Sequence, residues 1–209
     1  MQEQQLQPKS APPPVRKPNS ERPGYFPLFI GTNNTGKTTL AKKLIEAELK
    51  KPAGRALILT PDYTEWQNIE EVHPNFPERI QRYTGARKLI VTRGNAYEIL
   101  ECIRENFTSG VLLFDDCRAY LKSRTSDVLE AILVRRRMMM IDVIAVGHSP
   151  IKIPPAFFGY CTHICLFKTI GSMNVRKDEL EEIDRWLTIQ QAVNRQAETD
   201  IHYYEIHKV

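Results

Sequence analysis

Eight consecutive residues near the start of the chain have the types and spacing needed to bind a chain of phosphates. They are Gly31, Thr32, Asn33, Asn34, Thr35, Gly36, Lys37 and Thr38, followed by Thr39, in the pattern G-x-x-x-x-G-K-[ST]. The glycines permit positive φ and close approach, so successive backbone N–H groups can turn towards phosphate oxygens. Lys37 can then reach the outer phosphates, and the Thr38 hydroxyl can bind Mg²⁺. The pattern predicts a phosphate-binding loop of the Walker A type.

Two carboxylates follow a later apolar run. Residues 111–114 read Val-Leu-Leu-Phe, and Asp115 and Asp116 come directly after them. Ligands of open α/β sheets bind at the carboxyl edge of the strands, where these acids are expected. We expect Asp115 to hold Mg²⁺, through water, and Asp116 to orient and deprotonate the water that attacks the γ-phosphate. The pair is typical of a Walker B motif.

Two further features could complete such a site. His148 ends another apolar run and is a candidate sensor of the γ-phosphate. A loop histidine that caps the turn before Pro150 is the alternative interpretation. Arg135, Arg136 and Arg137 end a predicted helix, and one of them could serve as an arginine finger for a neighbouring subunit. The alternative is that these cations only complement the helix dipole.

The elements that must position these residues alternate along the chain. Apolar runs predict strands over 28–30, 56–60, 88–92, 111–114, 143–146 and 163–167, with 201–206 as a closing strand. Helical periodicity predicts helices over 37–50, 95–107, 126–137 and 178–191. This alternation is typical of an α/β domain built on a mainly parallel sheet. Residues 1–24 are rich in proline and predict a disordered tail, so we assign the domain to residues 25–209.

Composition narrows the class of protein. A chain of 209 residues with 42% hydrophobic and 26% charged residues is expected to fold as one domain. The net charge of +4 is too small to predict nucleic-acid binding. No run approaches the roughly 18 apolar residues of a membrane span. Cys161 and Cys165 flank His163, but buried strand thiols are the better interpretation than a zinc site, so we expect a reduced, cytoplasmic chain.

Taken in order, these elements resemble the HerA/FtsK superfamily of P-loop motor ATPases, which includes viral and phage genome-packaging ATPases. The resemblance covers residues 25 to about 170. Walker A falls on Gly31–Thr38, Walker B on Asp115 and Asp116, and a segment similar to the family's follows the second strand at Pro61–Trp66. The family's arginine best matches Arg137, and its sensor residue matches His148.

The sequence departs from the family pattern at three of these positions. Asn34 replaces a loop glycine, Asp116 replaces the catalytic Glu, and His148 replaces the usual Gln. Asn is tolerable at a loop glycine because it adopts left-handed conformations more easily than other residues with a Cβ.

The resemblance implies an α/β, RecA-like P-loop NTPase with a mainly parallel central sheet flanked by helices. It implies ATP and Mg²⁺ as cofactors and a ring, commonly a hexamer, with nucleotide between subunits. DNA would pass through the central channel without sequence specificity, because backbone phosphates carry no sequence information. The small size favours a packaging motor, located in the cytoplasm or in a virion. The proline-rich tail could contact capsid or portal proteins.

Two other functions stay open on the sequence alone. A small-molecule or nucleotide kinase could use the same loop, with Arg135, Arg136 and Arg137 as a lid that clamps phosphates. The second alternative is an adaptor that binds ATP in order to assemble and hydrolyses it slowly. A GTPase is disfavoured because the chain has no Asn-Lys-x-Asp signature.

Overall fold

The computed structural model describes residues 22–61, 64–121 and 126–209. Its strands are β1 Pro27–Ile30, β2 Arg55–Thr60, β3 Glu70–Glu71, β4 Gly85–Ile90, β5 Gly110–Phe114, β6 Ile141–Gly147, β7 His163–Phe167 and β8 Tyr204–Lys208. Its helices are α1 Lys37–Leu49, α2 Glu78–Gln81, α3 Ala96–Asn106, α4 Ser126–Arg135, α5 Pro155–Tyr160 and α6 Ile183–Gln196. Short 3-10 turns cover Cys117–Ala119, Pro150–Lys152 and Met173–Arg176.

The described strands form one eight-stranded sheet in the order β3-β4-β2-β5-β6-β1-β7-β8. All neighbours pair in parallel except β8, which runs antiparallel to β7. Leu28 of β1 pairs with Ala145 of β6 on one side and with Ile164 of β7 on the other. The carboxyl ends of β5, β6, β1 and β7 therefore meet at one edge of the sheet, where the predicted phosphate loop begins.

Helices cover both faces of the sheet. On one face, Ala41 and Ile45 of α1 join a buried cluster with Phe29, Ile144 and Cys165. The other face carries the larger cluster, to which α3, α4, α5 and α6 all contribute buried side chains. Strands β2 and β5 are buried along their whole length, as expected for parallel strands covered on both sides. The predicted α/β class with a mainly parallel sheet is confirmed.

Several predicted boundaries are wrong. The helix predicted over 178–191 occupies Ile183–Gln196, because Glu182 adopts a left-handed conformation with φ of 52° and interrupts it. Strand β8 begins at Tyr204 rather than Ile201, since the chain first turns through residues 199–203. Helix α4 ends at Arg135, so Arg136 and Arg137 lie beyond it. Elements β3, α2 and α5 were not predicted; all are short, with two to six residues.

The amino-terminal end of the described chain is attached to the sheet. Residues 1–21 of the predicted tail lie outside the described residues. Arg22 forms ion pairs with Glu48 and, at 3.0 Å, with Asp142. The Gly24 carbonyl accepts a hydrogen bond from Arg136 Nε at 3.0 Å. The tail boundary at residue 24 stays a prediction. Among the described helices, none combines the length and apolar character required to cross a bilayer.

Candidate functional site

Two neighbouring strands hold the start of the phosphate loop, residues 31–38. The Gly31 N–H donates to the Gly147 carbonyl at 3.2 Å, and the Thr32 N–H donates to the Lys168 carbonyl at 2.8 Å. A Cβ on Gly31 would lie only 2.6 Å from Phe167 Cβ, which explains why glycine is required there. The loop therefore leaves β1 in a conformation fixed by the ends of β6 and β7.

The loop turns into α1 through two residues with positive φ. Asn34 has φ of 61° and Gly36 has φ of 95°. The left-handed conformation of Asn34 confirms that asparagine can stand at this position. The N–H groups in the first turn of α1 have no intrahelical partner, and no side chain among the described residues caps this end of the helix. Such groups, with the positive end of the helix dipole, form a binding site for phosphate.

Lys37 is folded back onto its own loop. Its side chain is buried, and Nζ donates to the Thr32 carbonyl and lies 3.5 Å from Thr35 Oγ1. Burial lowers the pKa of Lys37 to about 8, although Asp115 and Asp116 act in the opposite direction. Lys37 and both acids therefore lie at the same, carboxyl edge of the sheet. A phosphate oxygen could replace the Thr32 carbonyl as the partner of Nζ.

Binding of a triphosphate is expected to be accompanied by proton uptake at Lys37. With a pKa of about 8, roughly half of the amines are neutral at pH 8 and roughly a tenth at pH 7. Phosphate charge favours the protonated amine and raises its pKa, so about half a proton should be taken up per triphosphate at pH 8. Calorimetric titrations in buffers of different ionisation enthalpy measure this number. Equal uptake at pH 7 and pH 8 would contradict the prediction.

Asp115 is a buried acid at the end of β5. Its side chain accepts a hydrogen bond from Trp66 Nε1 at Oδ2, over 2.8 Å. Burial raises the pKa of Asp115, and the Trp66 hydrogen bond partly opposes that rise. No local pattern in the sequence signals this role of Trp66, because the contact joins residues 49 apart.

Asp116 and His148 meet where β5 and β6 end. Phe114 pairs with Ala145 across these strands, and His148 Nε2 lies 3.2 Å from Asp116 Oδ1. Asp116 has φ of 41°, a left-handed conformation that, among residues with a Cβ, Asn, Asp and His adopt most often. The two side chains are about one third exposed, at 40% for Asp116 and 33% for His148. No described residue hydrogen-bonds the buried Nδ1 of His148.

The oxygen atoms of Thr38 and Asp115 are of the kinds that bind a magnesium ion. Thr38 is half-buried in the first turn of α1, while Asn33 and Thr39 are exposed. Hydroxyl and carboxylate oxygens are the ligands that Mg²⁺ prefers. A divalent cation would also compensate the cost of burying the Asp115 carboxylate, which burial otherwise disfavours in its charged form.

Arg136 and Arg137 do not join this site within the chain, and Arg135 is exposed where α4 ends. Arg136 is buried and donates to the carbonyls of Gly24, at 3.0 Å, and Leu133, at 2.7 Å. Arg137 is exposed and lies against Gly24, before the start of β1. It is therefore at the amino edge of the sheet, whereas Lys37 is at the carboxyl edge. A strand of β6's seven residues spans roughly 20 Å, so Arg137 cannot reach the phosphate loop of its own chain.

Sequence comparison found no relative. No model of a protein family matches the chain, and no curated protein matches it significantly.

Solved structures do match the fold. The genome-packaging NTPase B204 of Sulfolobus turreted icosahedral virus 2, in complex with AMPPCP, gives a TM-score of 0.64 at 16% identity, over 90% of this chain and 93% of that chain. B204 of Sulfolobus turreted icosahedral virus, a DNA-packaging ATPase, gives 0.62 at 16% identity, over 90% and 94%. The conjugation coupling protein TcpA of pCW3 with ATPγS gives 0.51 at 9% identity, over 73% of this chain and 51% of that chain.

At these identities the likeness establishes the fold. The chain has the α/β, RecA-like fold of P-loop NTPases, with the phosphate loop between β1 and α1. The resemblance to P-loop motor ATPases inferred from the residues is confirmed at the level of the fold.

Proposed function

We propose that this protein hydrolyses ATP with Mg²⁺ and uses the free energy to translocate DNA, in the packaging of a viral genome. One observation carries the proposal most directly. The acid and histidine that end β5 and β6, Asp116 and His148, meet at 3.2 Å beside the loop that holds Lys37. The same fold, over nine tenths of this chain, is found in a packaging NTPase that was crystallised with ATP analogues.

The residues divide the chemistry between them. Loop N–H groups and Lys37 bind the phosphates. Thr38 and Asp115 would hold Mg²⁺, which supplies positive charge that neutralises the phosphate oxygens. Asp116 orients the attacking water and accepts its proton, since its side chain is 40% exposed and therefore accessible to water. His148 fixes the Asp116 carboxylate through Nε2 and monitors the γ-phosphate.

Assembly would complete the site. Because Arg137 lies at the edge opposite Lys37, it can act only on the nucleotide of another copy. A head-to-tail contact of this kind closes into a ring when the rotation permits, and we propose a hexamer with DNA through its centre, gripped by backbone phosphates. Contact of residues 1–24 with a capsid or portal protein, and a cytoplasmic or virion location, belong to the same proposal.

The alternatives draw less support from the geometry. A kinase lid formed by Arg135, Arg136 and Arg137 would have to close over the phosphates of its own chain. Arg136 is instead committed to two backbone carbonyls, and Arg137 lies at the opposite edge of the sheet. An ATP-gated adaptor would share the site but hydrolyse ATP slowly, with no response to DNA.

Mixed variants test the proposal. Lys37→Ala and Arg137→Ala should each abolish DNA-stimulated phosphate release. The first variant loses the amine that binds the phosphates, and the second loses the arginine that acts on the nucleotide of the neighbouring copy. An equal mixture should recover about a quarter of wild-type turnover, since that share of joints pairs an intact Lys37 with an intact Arg137 in a randomly mixed ring. Phosphate release with and without duplex DNA measures both effects.

Arg135→Ala is the matched control, because Arg135 is also exposed at the end of α4 but is not assigned to the joint. It should keep wild-type turnover. A strict monomer whose phosphate release ignores DNA would refute the motor. A DNA-stimulated enzyme whose variants fail to complement would refute only the role of Arg137 between subunits.

A further inference from the structure

The turn between α6 and β8 lies against the phosphate loop. A Cβ on Gly36 would lie 3.4 Å from His202 Nδ1 and 4.0 Å from Phe167 Cε1. His202 is exposed, and its ring makes no hydrogen bond with the described residues. Its backbone N–H is held by Asp200 Oδ1 at 2.9 Å. An imidazole with no structural partner therefore stands beside the loop expected to bind phosphate.

The order of the strands fixes which end of a nucleotide lies near this turn. Strands β6 and β5, which carry His148 and the two acids, lie on one side of β1, and β7 and β8 lie on the other. The γ-phosphate must face Asp116 if that residue is to activate water. The α-phosphate and the nucleoside then leave the loop on the opposite side, towards β7 and β8.

The residues on that side are held rigidly. Asn194 of α6 accepts the Thr169 N–H at 2.9 Å and donates to the Thr169 carbonyl at 3.1 Å. The preceding residue, Lys168, accepts the Thr32 N–H of the phosphate loop. Tyr204 stacks on Phe167, with ring centroids 4.8 Å apart and 26° between the planes. Both segments are therefore fixed relative to the loop before any ligand arrives.

The same turn is partly apolar. Ile201, directly before His202, is 42% exposed. A flat heteroaromatic ring binds where it finds apolar contact and an aromatic face to stack on. The exposed branched aliphatic side chain and the unpartnered imidazole offer both next to the expected phosphate site.

We propose that residues 168–169 and 199–204 form a nucleoside wall, in which the His202 ring stacks on the base of the bound nucleotide. The proposal deepens the proposed function and rests on it, because the direction of the nucleotide follows from the role of Asp116. Stacking uses the face of the base, which every nucleobase offers. The wall therefore provides affinity for the nucleoside, whereas Lys37 and the loop provide affinity for the phosphates.

Comparison of ATP with inorganic tripolyphosphate separates the two contributions. In calorimetric titrations with Mg²⁺, His202→Ala should weaken ATP about tenfold, as expected for the loss of one base-stacking side chain, and leave tripolyphosphate unchanged. His202→Phe keeps an aromatic face and should bind ATP within about threefold of the wild type. His73→Ala is the matched control, since His73 is also exposed but follows β3 at the far edge of the sheet.

Each outcome bears on a different claim. If His202→Ala weakens ATP and tripolyphosphate equally, His202 shapes the phosphate loop and the nucleoside wall is wrong. If it changes neither, or if the wild type binds ATP no better than tripolyphosphate, the wall is also wrong while the phosphate site stands. A wild-type protein that binds neither ligand would overturn the proposed function itself.

Discussion

Replacing Asp116 with Asn is expected to lower ATP turnover by about 100- to 1,000-fold, the usual contribution of a general base, while ATP affinity stays within about threefold. The amide keeps the shape of the side chain but cannot accept the proton of the attacking water. The side chain is 40% exposed, so the fold should not depend on its charge. Single-turnover phosphate release measures the chemical step, and calorimetric titration measures the affinity.

Asp184→Asn is the control for the loss of a carboxylate. Asp184 is exposed on α6, and its side chain is not assigned to the site. Its turnover should equal that of the wild type. If Asp116→Asn retains more than a tenth of the turnover, Asp116 is not the base. The neighbouring His148, whose Nε2 already contacts this carboxylate, would then be the group to replace next.

The central part of the site could be predicted because its signals are local. The phosphate loop depends on spacing within residues 31–38, and each candidate acid or histidine directly follows an apolar run that forms a parallel strand. Parallel strands with crossover helices bring their carboxyl ends to one edge. Because both residues follow parallel strands, this geometry was enough to predict that Asp116 and His148 lie at the same edge of the sheet, although they are 32 positions apart in the chain.

The residues that the sequence analysis missed are set by tertiary contacts. Trp66 reaches Asp115 from the segment after β2, and His202 reaches Gly36 from a turn near the end of the chain. Neither belongs to a spacing pattern, so no periodicity could identify them. The arginines are the opposite case. Arg135, Arg136 and Arg137 were all predicted as site candidates, and residue type alone offered no way to tell the three apart. Burial then separates Arg136, which anchors Gly24, from its exposed neighbours.

The predicted boundaries failed where a turn replaces a regular element. Leu180 is buried and fits a helical stripe with Ile183, which explains the early start predicted for α6. The chain instead makes a 3-10 turn at Met173–Arg176 and passes through Glu182 in a left-handed conformation before α6 begins. Arg176, at the end of that 3-10 turn, makes its contacts 23 to 26 residues away in sequence.

Arg176 ties this turn to the segment that follows His148. Its guanidinium donates to the carbonyls of Pro150, at 2.9 Å, and Ile153, at 2.7 Å, and lies 5.1 Å from the centre of the Phe158 ring. The segment packs closely against β6, since a Cβ on Gly147 would lie 2.3 Å from Ile153 Cγ1. The buried Arg176 guanidinium therefore supplies hydrogen bonds to backbone carbonyls in and just after the 3-10 turn Pro150–Lys152.

Replacing Arg176 with Met is expected to lower the free energy of unfolding by about 3 to 5 kcal/mol, the cost of removing one partner from a buried polar network. Methionine keeps the apolar stem but leaves buried carbonyls without donors. For a chain of this length the melting temperature should fall by roughly 10 °C. Arg185→Met is the matched control, since Arg185 is about half exposed, forms a surface ion pair with Glu182 and lies 5.7 Å from the centre of the Trp186 ring. It should change stability by less than about 0.5 kcal/mol. Urea and thermal unfolding measure both variants. A loss below about 1 kcal/mol for Arg176→Met would mean that water can replace the guanidinium, and that the segment after His148 is held by the packing of Ile153 beneath Gly147.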